Sequence, residues 1–138
     1  MKKLIIFLCA LLASVTMVAA SEVKFRDLYG RGGAYSELAQ KMTHKTITVR
    51  GYMAPPIKAE ASFFVLTKLP MSVCPFCETE ADWPTDILFV RTPKQIDVLP
   101  FNEPIYVTGT LEIGASTDPE TGFVSRVRLV DAKYRKAR

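Results

Sequence analysis

The chain has 138 residues, of which 49% are hydrophobic and 23% charged, and its formal net charge is +4 at neutral pH. This length predicts one domain of about a hundred residues, large enough to bury a core without disulfide bonds. A single histidine, His44, would have to serve any Ser-His-Asp or Cys-His set, and no nucleotide-binding, nucleophile-elbow or His-Glu-x-x-His motif is present. Hydrolytic enzymes and nucleotide-binding enzymes therefore have little support.

The first twenty residues have the pattern of a secretory signal peptide. A positively charged start at Met1-Lys2-Lys3 precedes the apolar run Leu4–Leu12 and the small-residue site Val18-Ala19-Ala20. We expect cleavage before Ser21, export to the periplasm and no stable membrane insertion afterwards, because the apolar run is too short for an anchor. Removal of residues 1–20 takes away two lysines, which lowers the formal charge from +4 to +2.

A short helix is predicted near the start of the mature chain. Residues 21–33 show no clear period and contain three glycines, so we expect a flexible segment there. After it, the apolar residues follow the i, i+3, i+4, i+7 spacing of one helix face, and Ser36 is suited to cap the helix. These apolar residues are Tyr35, Leu38, Ala39 and Met42.

The rest of the chain predicts five strands. Alternating or continuous apolar patterns mark them, and prolines or glycines separate them. They cover residues 46–53, 62–67, 86–91, 105–113 and 123–130, with a possible helical turn at 94–98 and a turn at 118–122. The pattern predicts an all-β fold, a small five-stranded OB-like barrel with a short N-terminal helix, because closure removes exposed strand edges. We place the barrel domain at residues 34–132 and a basic tail at 133–138.

Two strand motifs resemble a known type of protein. Val49-Arg50-Gly51-Tyr52-Met53, followed by two prolines, and Tyr106–Leu111 are similar to strands of exported bacterial OB-fold proteins of uncharacterised function. The similarity covers roughly residues 34–132. It implies an OB fold and an exported location, and such proteins are often encoded near transporter components. It implies a protein partner in the periplasm, such as a transporter component, but no reaction.

The mature chain has two cysteines, in Cys74-Pro75-Phe76-Cys77, because Cys9 leaves with the signal peptide. An even number of cysteines in an exported chain favours a disulfide between Cys74 and Cys77, although so small a loop gains little stability from it. The tetrapeptide also resembles the active site of glutaredoxin-like proteins, in which the first thiol is the nucleophile and the second resolves the mixed disulfide.

The same cysteines are candidate metal ligands. Two thiolates separated by two residues supply half of a tetrahedral site for zinc or copper(I). Met71 offers a thioether suited to copper(I), and His44 is the one imidazole in the chain. The predicted metal set is Cys74, Cys77, Met71 and His44.

A further interpretation treats residues 71–83 as a recognition loop. Phe76 and Trp83 are large apolar groups among acids and prolines, a mixture that suits docking of a partner. They equally suit capping of one mouth of the barrel. Tyr52, together with Met53, is the nearest predicted strand neighbour. Aromatic and basic residues on outward strand positions also resemble a nucleic-acid surface, but export argues against nucleic acid.

These observations predict an exported OB-fold binding or accessory protein without catalytic turnover. Its cysteine loop would be a disulfide or a soft-metal site that contacts a ligand or partner. The alternative is a thiol–disulfide oxidoreductase with Cys74 as nucleophile and Cys77 as resolving thiol.

Overall fold

The computed structural model describes residues 19–56, 58, 60–72 and 86–138. Within this part of the chain the fold is mostly β, with two short helices, α1 (Phe25–Leu28) and α2 (Glu37–Met42), and a 3-10 turn at Arg31–Gly33. The six strands are β1 (Ser21–Glu22), β2 (Thr46–Met53), β3 (Phe63–Thr67), β4 (Ile87–Arg91), β5 (Pro104–Thr117) and β6 (Val124–Lys136). A search of the described residues for a helix with the length and apolar character of a membrane span finds none.

Five of the six strands close into a ring. The sheet order is β1-β2-β3-β4-β6-β5, and β2 also pairs with β5. The pairing of β4 with β6 is parallel, while the other four contacts of the ring are antiparallel. Since β2 is hydrogen-bonded to β3 near its end and to β5 along most of its length, no strand of the ring is left with a fully open edge.

The main core lies inside this ring. Alternate residues of the strands point inward and are almost fully buried, as expected for strands with one face on a core. They include Ile47, Val49, Phe64, Leu66, Leu88, Val90, Ile105, Val107, Leu111, Val127 and Leu129. Val23, Phe25, Leu28 and Ala39 belong to the same cluster, so the N-terminal elements cover one end of the core.

Two glycines permit close contacts between strands of the ring. A Cβ atom on Gly51 would lie 2.6 Å from the Thr67 carbonyl oxygen and 2.9 Å from Leu66 Cγ. A Cβ atom on Gly109 would lie 3.0 Å from both the Val130 oxygen and the Ala132 Cβ, beside a register shift between β5 and β6. Gly51 therefore requires glycine for space, while a side chain at Gly109 would make a tight contact with β6. Neither glycine has a positive φ.

The prediction of five strands is wrong by one. Ser21–Glu22 pairs in parallel with Ile47 and Thr48 of β2, and two residues are too few to show an alternating pattern in the sequence. Residues 21–33, expected to be flexible, also contain α1, and Val23, Phe25 and Leu28 are buried there. These three apolar residues fit neither a strand period nor a full helix turn, so periodicity does not reveal them.

The C-terminal boundary also differs from the prediction. Strand β6 continues to Lys136, so most of the expected basic tail at 133–138 is part of the sheet, in register with β5. The predicted helical turn at 94–98 is absent: these described residues form an irregular connection. The predicted helix is present as α2, and the Ser36 hydroxyl accepts a hydrogen bond from the Ala39 N–H at 3.0 Å, as its capping role requires.

We expect Gly51→Ala to destabilise the protein, since the added methyl group meets a backbone oxygen that cannot move without shifting β3. Overpacking of this kind costs about 2–3 kcal/mol in free energy of unfolding. Gly30→Ala is the matched control, because its Cβ would meet nothing closer than 3.5 Å. Urea denaturation of both variants checks the prediction, and equal midpoints for the two variants would contradict it.

We also expect Tyr134 to make stability fall at alkaline pH. Burial raises the pKa of Tyr134, the Asp97 N–H works in the opposite direction, and the Asp97 carboxylate adds to the rise. The folded pKa thus exceeds the unfolded value of about 10, so the contribution is complete below that pH and is lost as pH rises through the folded pKa. Urea unfolding at about pH 8 and pH 11 should show a smaller loss for Tyr134→Phe than for wild type. Equal losses of stability in the two proteins would show that Tyr134 contributes nothing to the fall in stability at alkaline pH.

Candidate functional site at the base of the cysteine-containing segment

The predicted cysteines and the two aromatic residues of the predicted recognition loop lie outside the described residues. These are Cys74, Phe76, Cys77 and Trp83. The disulfide, the thiolate metal ligands and the aromatic docking groups therefore stay predictions. The structure does describe both ends of the segment that carries them, up to Ser72 on one side and from Asp86 on the other.

The two ends of this segment are held together at a neck formed by Thr67, Lys68, Asp86 and Ile87. The Lys68 N–H donates a hydrogen bond to the Asp86 carbonyl oxygen at 2.9 Å. The Thr67 hydroxyl lies 2.7 Å from the Leu69 carbonyl oxygen and 3.3 Å from that of Tyr52. From the N-terminal region, the Tyr29 hydroxyl donates to the Ile87 carbonyl oxygen at 2.9 Å. Hydrogen bonds between the two strand ends, to Tyr52 of β2 and from Tyr29 therefore hold the neck in place.

Tyr52 lies beside this neck, whereas Met53 does not face it. The strand register sets Tyr52 opposite Thr67, the last residue of β3, and its side chain is half-buried. Met53 is 1% exposed in the main core, and its Sδ accepts a hydrogen bond from the Leu99 N–H at 3.4 Å. The register thus brings one of the two predicted strand neighbours into reach of the segment.

His44 lies at the opposite end of β2. It is exposed, with a φ of 65°, and its N–H donates to the Leu111 carbonyl oxygen at 2.7 Å. Six residues of strand separate Thr46 from Tyr52, which corresponds to roughly 20 Å. Met71, half-buried, follows the neck closely. The structure therefore does not bring His44 to the neck, and the described residues contain no group of three or more His, Cys, Asp or Glu placed to hold a metal ion.

The strands that carry the segment have a second apolar face, on the outside of the ring. The Phe63 and Phe89 rings stack with centroids 5.4 Å apart, and those of Phe89 and Phe123 stack at 5.2 Å. Val65 and Ile87 continue this outer face towards the neck, where both pack in one cluster with Ala54 and Phe123. The side chains of β3 are buried on both faces, which matches the continuous apolar pattern of its sequence.

An ion pair fixes the β5–β6 turn against this outer face. Arg91 Nη2 contacts Asp118 Oδ1, and the Arg91 guanidinium lies 5.9 Å from the centroid of the Phe89 ring. The second Asp118 oxygen accepts hydrogen bonds from the Thr121 N–H at 3.1 Å and its hydroxyl at 2.6 Å. Asp118 is only 7% exposed, and these partners compensate its charge inside the turn that leads to Phe123.

The base of the segment is thus a rigid surface that offers hydrogen bonds and apolar contact. Leu69 is 65% exposed beside the neck, a large apolar group in position to touch a partner. Sequence reasoning missed Leu69 and Thr67, although a threonine at the end of a buried strand and a leucine before Pro70 were readable signals.

We expect Thr67→Val to loosen the neck, because the hydroxyl that reaches two carbonyl oxygens is lost from a site 1% exposed. Free energy of unfolding should fall by about 1 kcal/mol, and trypsin should cut faster after Lys68.

Thr92→Val is the matched control at the other end of these strands. Thr92 is 8% exposed, and its hydroxyl lies 3.0 Å from the Ser62 oxygen and 2.6 Å from the Lys94 oxygen. Both variants should lose similar stability, but only Thr67→Val should accelerate cleavage after Lys68. The same cleavage rate in both variants would show that the threonine has no local effect on the neck.

Comparison with known proteins yields a fold and no family. No family model matches the chain, and no curated protein matches it. Among solved structures, it is similar to a DUF3299 family protein (PA4066) from Pseudomonas aeruginosa PAO1, with a TM-score of 0.58 and 16% sequence identity. The match covers 87% of this chain and 97% of the other. At this identity the likeness extends to the fold alone.

Proposed function

We propose that this protein is an exported, periplasmic binding or accessory protein without catalytic turnover, built on an OB-like barrel. Its cysteine-containing segment contacts a protein partner, such as a transporter component. The observation that carries the proposal is the rigid neck at the ends of β3 and β4, two strands whose outer face is also buried.

The strand pairing supports an OB-like barrel. An OB fold is a five-stranded Greek-key barrel that binds its ligands on one strand face and adjoining loops. In this chain the five ring strands pair in the order β2-β3-β4-β6-β5 and return to β2. Here β3 and β4 occupy the second and third positions, the two strands that carry the ligand face of OB folds.

Cleavage before Ser21 would keep every described helix and strand in the mature chain. The first strand begins at Ser21, and the described helices and strands all follow it. Removal of residues 1–20 therefore leaves the described ring and core intact. The pattern of charge, apolar run and small residues at the N-terminus gives the independent reason for expecting that removal.

The neck supports a recognition role for the segment between its two ends. Binding residues concentrate on loops that a rigid scaffold positions. The strands on either side are packed on both faces, since Leu66 and Leu88 lie in the main core while Val65 and Ile87 are buried outside it. Such a base holds the ends of the segment in place when a partner is bound or released.

Cys74 and Cys77 serve this role as a disulfide or as ligands of a soft metal, zinc or copper(I). Either would fix the shape of the segment, because both join two side chains that are three positions apart. Met71 follows the neck directly and is the additional ligand whose position supports this role, while His44 lies at the opposite end of β2.

A site-specific crosslinker tests the proposal in cells. A photoreactive phenylalanine at position 76 or 83 should give one major crosslink to an exported or membrane-bound protein, and the purified pair should reproduce it. The same group at position 94, at the far end of β3 and β4, is the matched control. Crosslinks of equal yield from all three positions would contradict a dedicated recognition segment.

The redox chemistry of the cysteines separates binding from catalysis. Wild type and Cys74→Ser should reduce a model disulfide no faster than free dithiothreitol. Native mass spectrometry of the reduced protein with zinc or copper(I) should show a bound ion that Cys77→Ser loses, or thiol titration of the isolated protein should show an intact disulfide. A turnover that requires both cysteines would overturn the accessory role in favour of an oxidoreductase.

A further inference from the structure

A cleft of about 330 Å³ lies on the edge of the sheet beside β1 and the centre of β2. Four basic residues line it: Lys24, Arg26, Arg50 and Lys68. Among the described residues Glu22 is the one acid in its lining, and Val23 and Phe25 form an apolar floor. A volume of this size lies at the lower end of the range for ligand pockets.

The cleft arises because β2 changes partner along one edge. Near its start β2 pairs with β1, up to Thr48, and near its end it pairs with β3, from Tyr52 onward. Arg50 lies between these two pairings. Successive residues of a strand direct their backbone N–H and C=O groups to opposite edges, so those of Arg50 point to the same edge as those of Thr48. The Thr48 carbonyl oxygen accepts a hydrogen bond from the Val23 N–H at 2.8 Å.

The walls of this cleft are preorganised. Val23 and Phe25 are each 4% exposed and are anchored in the main core, which holds the chain between β1 and α1 in place. On the other side, Lys68 is fixed by its backbone bond to Asp86. The surface is therefore in place before a ligand binds, and little free energy is needed to order it.

The charges of the cleft are largely uncompensated. Arg26 contacts the Asp27 carboxylate at 3.6 Å, but both side chains are well exposed, at 73% and 40%, so this pair is weak. Within the part of the chain that the structure describes, no ion pair joins Lys24, Arg50 or Lys68 to an acid. Four cations against one carboxylate in a concave site give a locally positive potential that attracts an anion.

We propose that this cleft binds an acidic segment of a partner protein. Carboxylates of the segment would pair with Lys24 and Arg50, whose guanidinium can take a carboxylate through two parallel hydrogen bonds. The site involves neither the cysteines nor the outer aromatic face, so it can be tested apart from the proposed recognition segment.

The lining favours a peptide over other anions. Single-stranded nucleic acid needs exposed aromatic rings on which to stack, and Phe25, the aromatic ring of the cleft, is 4% exposed. A membrane surface meets basic residues on a convex or flat face, whereas these converge on a cleft. Inorganic phosphate is a single compact anion, whereas four basic side chains along one cleft suit the spaced carboxylates of an acidic peptide.

Fluorescence anisotropy of the purified protein tests the proposal with a labelled peptide of about twelve residues that alternates Glu and Leu. At about 50 mM salt the peptide should bind, and the same peptide with Gln for Glu should not. Lys24→Glu combined with Arg50→Glu should weaken binding about tenfold or more, since two charge-assisted contacts become repulsive. Lys94→Glu combined with Lys133→Glu changes the net charge equally outside the cleft and should change binding less than twofold.

The outcomes that overturn the proposal are distinct. Equal weakening by the two double variants would show general attraction between a basic protein and an acidic peptide. Binding of the Gln peptide with the same affinity would remove the role of charge. Phosphatidylglycerol vesicles or oligothymidine that bind through Lys24 and Arg50, while the peptide does not, would reassign the cleft to lipid or to nucleic acid. Thermal melts of the Lys24→Glu and Arg50→Glu double variant verify that lost binding does not reflect unfolding.

Discussion

The double pairing of β2 is the constraint on which the described architecture depends. One edge of this strand is hydrogen-bonded to β5 over seven residue pairs, and the other receives β1 and then β3. Such a strand cannot shift by one residue, because every inward side chain would then face solvent. Gly51 makes the last part of this arrangement possible, since a side chain there would meet the Thr67 oxygen at 2.6 Å.

Two surface features follow from this one strand. At its end, the contact with β3 sets Tyr52 beside the neck of the cysteine-containing segment. At its centre, the change of partner leaves the gap in which Arg50 and Lys24 line a positively charged cleft. The neck and the cleft share Lys68, so a partner that occupied both would lie along a continuous stretch of the same sheet edge.

The sequence predicts most of the ring, because its strands follow simple patterns. The alternation of Ile105, Val107 and Leu111 and the continuous apolar run of β3 correspond to side chains that are buried in the structure. The prediction failed where burial is local and aperiodic, as for Val23 and Phe25. It also failed where β6 continues through charged residues, since Lys133 and Arg135 alternate with Ala132 and Tyr134, a pattern easily taken for a solvated tail.

The candidate site was less predictable than the fold. Sequence spacing marks Cys74 and Cys77 as a chemical pair, but only the strand register reveals that Tyr52 lies beside the neck and His44 at the opposite end of β2. The basic cleft had no signal in the sequence, since Lys24, Arg50 and Lys68 are scattered along the chain and converge only through pairing. Residues brought together from distant positions are invisible to motif reasoning.

The backbone bond between Lys68 and Asp86 also bears on how this protein can change over evolution. This hydrogen bond closes the cysteine-containing segment at its base, where the segment joins the ring. The length and composition of the segment can therefore vary at little cost in free energy of folding. Each doubling of such a loop adds only about 0.6 kcal/mol of closure entropy. The same ring of strands can therefore carry segments of different length and composition, as an antibody domain carries different loops on one framework.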